Sequence, residues 1–368
     1  MASTAFVTSE LFFWHDSGNV SYNRFIQPID SYENAETKRR LHNLVKVIPS
    51  LDSQLLHLSP RYATKEEVLA IHTEEYVNEI LDSSDLPKQI GHEANYSRSD
   101  IIFLSTGAAL TGVETIMAGK AKNAYILCRP PGHHATRSVA QGYCFFNNVS
   151  IAAAYLHSHF NLQRVAIVDF DVHHGNGTQE QWYSSDKVLF ISLHQDGLYP
   201  LNSGHVEEVG EGAGKGYNLN VPLPPGSARG VYMSAFESVV IPALRAYKPE
   251  FILVSSGLDA SFLDPLGRML LTSSDFKDMT IQLKQMAKEL CNERLMFVHE
   301  GGYSELYTPI VGVKVIEALL DEDQTSHLTD PFLRDVGSPN WISCQPHQMQ
   351  MVEAAAKNLA ISLIPSRG

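Results

Sequence analysis

The chain has few cysteines: four in 368 residues, Cys128, Cys144, Cys291 and Cys344, with no Cys-x-x-Cys pair. That scatter argues against a disulfide framework and points to a reducing compartment. Positive charge is also scarce. Lys and Arg number 28 against 41 Asp and Glu, a formal net charge of −13, so the clustered basic surface that grips a phosphate backbone is not expected. An acidic surface serves solubility and leaves cationic substrates or basic peptides open. No stretch reads as the ~18 consecutive apolar residues of a membrane span, and the first residues lack a basic segment followed by an apolar one. The expectation is a cytoplasmic protein with neither membrane nor nucleic acid as partner. Low-complexity tracts, internal repeats and linkers rich in Pro, Gly or Ser are missing too, so residues 1–368 are expected to form one domain.

What is present is an alternation. Apolar runs of strand length are predicted at Thr4–Thr8, Leu55–Ser59, Ala124–Cys128, Arg164–Asp171, Val188–His194, Phe251–Ser255 and Leu295–Val298. Helical periodicity is predicted over Glu36–Ile48, Thr64–Leu81, Thr106–Ala118, Asn148–Phe160, Gly230–Tyr247, Ser274–Leu290, Tyr307–Leu320 and Gln348–Ile361. In Glu36–Ile48 the apolar stripe is read as Leu41, Leu44, Val45 and Ile48, with basic residues opposite. Gly91–Ser99 and Leu198–Pro225 read as loops, the second long enough to suggest a functional surface. Strands alternating with helices predict an α/β fold with a mostly parallel sheet covered on both faces.

The most informative stretch is Val165–Thr178, VAIVDFDVHHGNGT. A buried-strand run ends in two carboxylates, two imidazoles and two glycines, and in open α/β sheets ligands bind beyond the carboxyl ends of the strands. Asp169, Asp171 and His173 alternate, so extended geometry would put them on one face. Carboxylate and imidazole two residues apart suit a metal taking N and O ligands, with a third from elsewhere. Three further strand ends deliver polar groups: Arg129–Ala135 with His133 and His134, Val254–Ala260 with Asp259 followed by Asp264-Pro265, and Glu300–Tyr303 on a glycine turn.

These motifs resemble the arginase/deacetylase superfamily, and within it the class II-type histone deacetylases and bacterial histone deacetylase-like amidohydrolases. The matching segments are RPPGHHA at 129–135, GYCFFNN at 142–148, DFDVHHGNGT at 169–178, ISLHQ at 191–195, GLDA at 257–260 and EGGY at 300–303. They occur in family order from about residue 35 to residue 320.

The resemblance implies one catalytic Zn²⁺ held by Asp171, His173 and Asp259, and hydrolysis of N-acyl-lysine by metal-activated water. It implies His133 and His134 as general base and acid, oriented by Asp169 and Asn176, with the base role given first to His133. Tyr303 would donate to the oxyanion. Gly142 would contact the substrate amide, Tyr143 and Tyr199 would wall an acyl-lysine channel, and Leu266 would stand at its rim. Two K⁺ sites are implied, one at Asp169, Asp171, His173, Ser192 and Leu193, the other at Trp182, Ser185, Val188 and Tyr217. Arg39 falls where the family has an arginine near the pocket floor, and a homo-oligomer is plausible by the same resemblance.

Three alternatives bear weighing. A dinuclear arginase-type site lacks ligands, because Gly175 and Ser261 stand where bridging carboxylates would be needed. An acetylpolyamine amidohydrolase would share the chemistry, but Leu266 replaces the acidic gatekeeper of the polyamine-selective branch; Glu93 and the acidic charge keep that substrate class in view. A non-catalytic acyl-lysine binder would need a broken site, and none of the implied residues is missing.

Overall fold

Every strand of the main sheet runs the same way, so every strand end with chemistry on it falls on one edge. The fold is described from a computed structural model, over residues 4–17, 19–20, 29–82, 98–320, 328–333 and 343–362. The strands are β1 (Thr4–Thr8), β2 (Asn19–Val20), β3 (Ile29–Asp30), β4 (Leu55–Leu58), β5 (Asn123–Leu127), β6 (Val165–Asp169), β7 (Val188–Gln195), β8 (Asn218–Leu223), β9 (Phe251–Ser256) and β10 (Leu295–His299). Eight of them form a parallel sheet in the order β4-β1-β5-β10-β9-β6-β7-β8, and β2 pairs with β3 in a separate two-stranded ribbon. The motif-bearing strands β5, β10, β9 and β6 are consecutive neighbours at the centre. Sequence alone could not have supplied that order.

The sheet is covered on both faces, as the continuous apolar strands require. Along β6 the side chains divide by parity. Val165 and Ile167 pack with helices Arg98–Met117 and Asn148–Phe160, whereas Ala166 and Val168 share a core with helices Ala35–Val47, Ser273–Leu290 and Thr308–Leu319. Asn147 caps helix Asn148–Phe160 by accepting from the Ser150 N–H, and Asn161 ends it in the left-handed region at φ 54°. Helix Arg98–Met117 is apolar and long enough to cross a membrane, yet 78% of its apolar window is buried within the protein, which identifies it as a core helix.

The structure corrects several expectations. The single helix predicted over Thr64–Leu81 is two, Lys65–Leu69 and Glu74–Asp82. The predicted capping box of Thr64 and Glu67 opens the first. The break arises because the Thr73 N–H donates to the Arg137 carbonyl, and the His72 ring turns to accept from the Asn147 N–H at 2.9 Å. The Leu198–Pro225 loop hides β8, an edge strand, where Pro222 is tolerated. A short helix, Asn176–Trp182, is the next element after β6 and is not marked by the sequence pattern. The helix predicted from Thr106 begins at Arg98, so the end of the Gly91–Ser99 loop is helical; Glu93 lies outside the described residues.

Arg39 is not at the pocket floor. It is exposed and paired with Glu36, while its neighbour Lys38 is 1% exposed and lies 5.4 Å from the centroid of the Tyr303 ring. Lys38 stands three and seven residues before Leu41 and Val45, both fully buried, so it belongs to the helix's inward stripe. Its ammonium pairs with Glu33 at 3.2 Å, and Glu33 also accepts from Arg129 Nε at 2.8 Å.

Burial would raise the Glu33 carboxyl, but Lys38 and Arg129 outweigh it and bring it down to about 2 from 4.5. A carboxyl depressed on folding stabilises the protein above its unfolded pKa, and the contribution is lost as pH falls toward its folded value. Removing one partner of a buried ion pair typically costs about 3–5 kcal/mol. Glu33→Gln should therefore lower unfolding stability near pH 7 by an amount of that order. The gap to the parent should shrink as pH falls from 4.5 toward 2. Denaturant melts at several pH values would check this, and a gap independent of pH would contradict it.

Candidate active site

β6 ends at Asp169, and from there the chain leaves the strand. Asp169 accepts from the Asp171 N–H at 3.1 Å, and Asp171 accepts from the His173 N–H at 2.9 Å, so two successive side chain-to-backbone turns replace the extended row. The alternating face expected from the sequence divides accordingly. Asp169 turns to His133, with its Oδ2 3.0 Å from His133 Nδ1. Asp171 and His173 instead meet Asp259 from the end of β9: His173 Nδ1 lies 3.0 Å from Asp171 Oδ1 and 3.1 Å from Asp259 Oδ2.

One donor atom from each of Asp171, His173 and Asp259 lies within 4.8 Å of the others, and all three residues are buried. Burial would lower the His173 imidazole, yet the two carboxylates raise it to about 10. Two buried acids thus demand a positive charge between them, and a divalent cation with O/N/O ligation answers that demand. The same carboxylates are fixed by backbone: Asp259 Oδ1 accepts from the Val172 N–H at 2.8 Å, and Asp171 Oδ2 from the Gly301 N–H at 2.8 Å. Gly257 and Gly301 are required here, because a Cβ on either would fall 2.1 Å from a carboxylate oxygen of Asp171 or Asp259.

His133 and His134 lie side by side, ring centroids 4.0 Å apart, on the loop after β5. Glu300, at the end of β10, accepts from the backbone N–H groups of Gly132 and His133 at 2.6 and 3.1 Å and so ties this loop to its neighbouring strand. Burial pushes the Glu300 carboxyl up to about 7. His134 Nδ1 is 2.8 Å from Asn176 Oδ1. The partners differ in kind, and so do the rings. Burial lowers both, but at His133 the Asp171 and Asp169 carboxylates reverse the effect and bring the ring up to about 10. At His134 burial acts together with the repulsion of His133 and His173, and the ring is held well below its ordinary value.

Tyr303 sits on the Gly301-Gly302 turn, buried to 8% exposure, with its ring centroid 6.4 Å from that of His173. Tyr143 stands beside it at 6.1 Å, and Tyr199 is edge-on to His134 at 5.0 Å. Gly142 has φ 54°, and a Cβ there would meet His134 Cδ2 at 2.2 Å, so only glycine lets this backbone lie against the ring. Leu266 is half-buried, and its N–H donates to Asp264 at 2.9 Å. Asp169 and Ser192 are paired across the β6–β7 ladder, with Leu193 next along β7. Trp182 and Ser185 are joined by a 3.0 Å backbone bond, and the Tyr217 carbonyl accepts from Phe190, two residues beyond Val188.

The fold brings the implied zinc ligands, the His pair, Asp169, Asn176 and Tyr303 to one place. A model of the histone deacetylase domain matches residues 32–318. The chain belongs to the histone deacetylase family. It is 42% identical to the histone deacetylase-like amidohydrolase of Pseudomonas aeruginosa over 90% of this chain and 89% of that protein. A probable deacetylase of Archaeoglobus fulgidus is 38% identical, covering 73% of this chain and 76% of its own. The crystal structure of the HDA15 HD domain superposes with a TM-score of 0.82 at 29% identity, covering 98% and 97% of the two chains. The eight-stranded parallel sheet is therefore the arginase/deacetylase fold. Membership of this family identifies a deacetylase-type amidohydrolase.

Site details that sequence reading missed are Lys38 beneath Tyr303, the Glu300 latch and the bonds made by Asp264. The helical stripe shared with Leu41 and Val45 was the available signal for Lys38. Glu300 had only its position at the end of an apolar strand, and Asp264 only its place after Asp259, which names neither of its bonding partners.

Proposed function

We propose that this family member hydrolyses the N-acyl bond of acyl-lysine side chains in proteins or peptides, using one Zn²⁺ held by Asp171, His173 and Asp259. The convergence of those three donors beside the His133–His134 pair is the observation that carries the reading. When bound, the metal supplies Lewis acidity, polarising the acyl carbonyl and lowering the pKa of water. The rings of Tyr143 and Tyr199 wall the channel for the lysine methylenes, with Gly142 offering backbone to the substrate amide and Leu266 at the rim. The Tyr303 hydroxyl donates to the oxygen that becomes negative as the carbonyl is attacked.

The two histidines divide the proton transfers. The ring beside a carboxylate holds its proton more tightly than the ring beside an amide, so His133 rests charged and His134 neutral. A cation held by Asp171 would offset the largest of the raising contributions at His133, so the difference between the rings then rests on their direct partners, Asp169 and Asn176. With Nδ1 donating to Asn176, neutral His134 presents Nε2 as the base that takes the water proton, and His133 protonates the departing lysine amine. We therefore assign the base role to His134, where the family resemblance put His133 first. In a bell-shaped rate profile the acidic limb reports the base and the alkaline limb the acid. His134→Ala should lose the acidic limb and His133→Ala the alkaline one, each with a rate loss of about 10²–10⁴. The opposite pattern would return the base role to His133.

We also assign K⁺ to the β6–β7 junction, at Asp169, Asp171, His173, Ser192 and Leu193, and to a peripheral position at Trp182, Ser185, Val188 and Tyr217. The Asp169–Ser192 pairing supports the first. Activity that is unchanged when K⁺ is replaced by a larger organic cation would refute both. We place the protein in the cytoplasm, in keeping with four unbridged thiols.

A further inference from the structure

The glycine turn that presents Tyr303 is intrinsically loose. Gly302 has φ 123°, a conformation that favours glycine, and two glycines in succession leave the direction of the next residue to whatever holds its backbone. Three hydrogen bonds do so. The Gly301 N–H donates to Asp171 Oδ2 at 2.8 Å, the Leu258 N–H donates to the Gly301 carbonyl at 3.0 Å, and the Tyr303 N–H donates to Asp264 Oδ2 at 2.7 Å. The first two fix the base of the turn. The last fixes the residue that carries the phenol.

Asp264 has a second task. Its other oxygen, Oδ1, accepts from the Leu266 N–H at 2.9 Å, and its own N–H donates to the Ser261 carbonyl at 3.0 Å. The side chain is 7% exposed. One buried carboxylate therefore latches the loop after β9, which carries Asp259 and Leu266, to the loop after β10, which carries Tyr303. Hydrogen bonds from two backbone N–H groups to a charged acceptor are stronger than neutral ones.

We propose that Asp264 is a positioning residue that sets the oxyanion donor Tyr303 and the rim residue Leu266 as one unit, so that turnover and acyl-group selectivity depend on the same carboxylate. This rests on the reading of Tyr303 as the oxyanion donor. Asp264→Asn leaves one acceptor oxygen for the two N–H groups and turns an NH₂ toward the other; because one side chain holds both loops, that repulsion displaces both Tyr303 and Leu266.

The test is a double-mutant cycle of Asp264→Asn with Tyr303→Phe, on acetyl- and butyryl-lysine peptides, with thermal melts and metal content measured for each variant. A purely structural role adds its loss in every background, whereas a residue acting through Tyr303 has nothing left to lose once the hydroxyl is gone. Asp264→Asn alone should lower kcat on the acetyl peptide by about 10–100-fold, within the ~10²–10³ that an oxyanion donor is worth, with a much smaller change in KM. In the Tyr303→Phe background it should change kcat by less than about threefold. The preference for one acyl group over the other, in kcat/KM, should shift in the single variant and in the double. Equal losses in both backgrounds, or an unchanged preference, would overturn the inference. Full activity of Tyr303→Phe would instead sink the oxyanion reading. Should Asp264→Asn fail to fold, Asp264→Glu, which keeps the charge and displaces it by one methylene, takes its place in the cycle, and the same outcomes support or overturn the inference.

Discussion

Replacing Tyr303 by Phe should lower kcat for an acetyl-lysine peptide by about 10²–10³ and leave KM nearly unchanged. The split follows from where the hydroxyl acts. Tyr303 is buried beside His173 and flanked by Tyr143, and Phe preserves the ring in that packing, including its contact with Lys38. What disappears is one hydrogen-bond donor, needed most when the carbonyl oxygen becomes negative. An interaction that strengthens only toward the transition state lowers kcat and kcat/KM together when removed. Steady-state kinetics on the purified variant would check this. A loss confined to KM would make Tyr303 a substrate-binding residue.

Asp259→Asn should have the larger effect. The substitution is nearly isosteric, and the amide oxygen can still accept from the Val172 N–H that Asp259 holds at 2.8 Å, so the loop after β9 keeps its anchor. The loss is one negative charge of the two that face His173. Metal content per chain should fall sharply, and activity with it by about 10³-fold or more, since several kcal/mol of Lewis-acid stabilisation go with the ion. Elemental analysis of the purified variant and the parent, beside their rates, would decide it. A variant retaining full metal and full activity would remove Asp259 from the ligand set.

The four polar strand ends were legible in the chain because each follows a short apolar run. Asn123–Leu127, Val165–Asp169, Leu295–His299 and Phe251–Ser256 run into His133 and His134, Asp171 and His173, Glu300, and Asp259 respectively. Their adjacency was not legible, since nothing local places the last two strands in sequence, β9 and β10, between β5 and β6. Period-two reasoning also failed past Asp169, because side chains that bond their own backbone turn the chain out of the strand; Asp169 then faces His133, while Asp171 and His173 meet Asp259. Lys38 was missed for a different reason. A lysine is ordinarily expected in water, and its burial depends on Glu33, a partner five residues away. Strand β8 escaped because Asn218, Asn220 and Pro222 are poor strand formers. The asparagines are held by side-chain bonds to Gln179, and the edge position spares the proline a ladder bond.

Metal-dependent hydrolysis of acyl-lysine at Asp171, His173 and Asp259 meets its hardest test in turnover of three matched substrates. These are acetyl-lysine peptide, trifluoroacetyl-lysine peptide and acetylpolyamine, each given to Zn²⁺-loaded protein with and without chelator. Turnover of the acetyl-lysine peptide should be lost with chelator, restored by Zn²⁺, and faster than turnover of the polyamine. Preference for the polyamine would leave the chemistry standing and replace the substrate. No turnover of any of the three by folded, metal-loaded protein would contradict hydrolysis at this site.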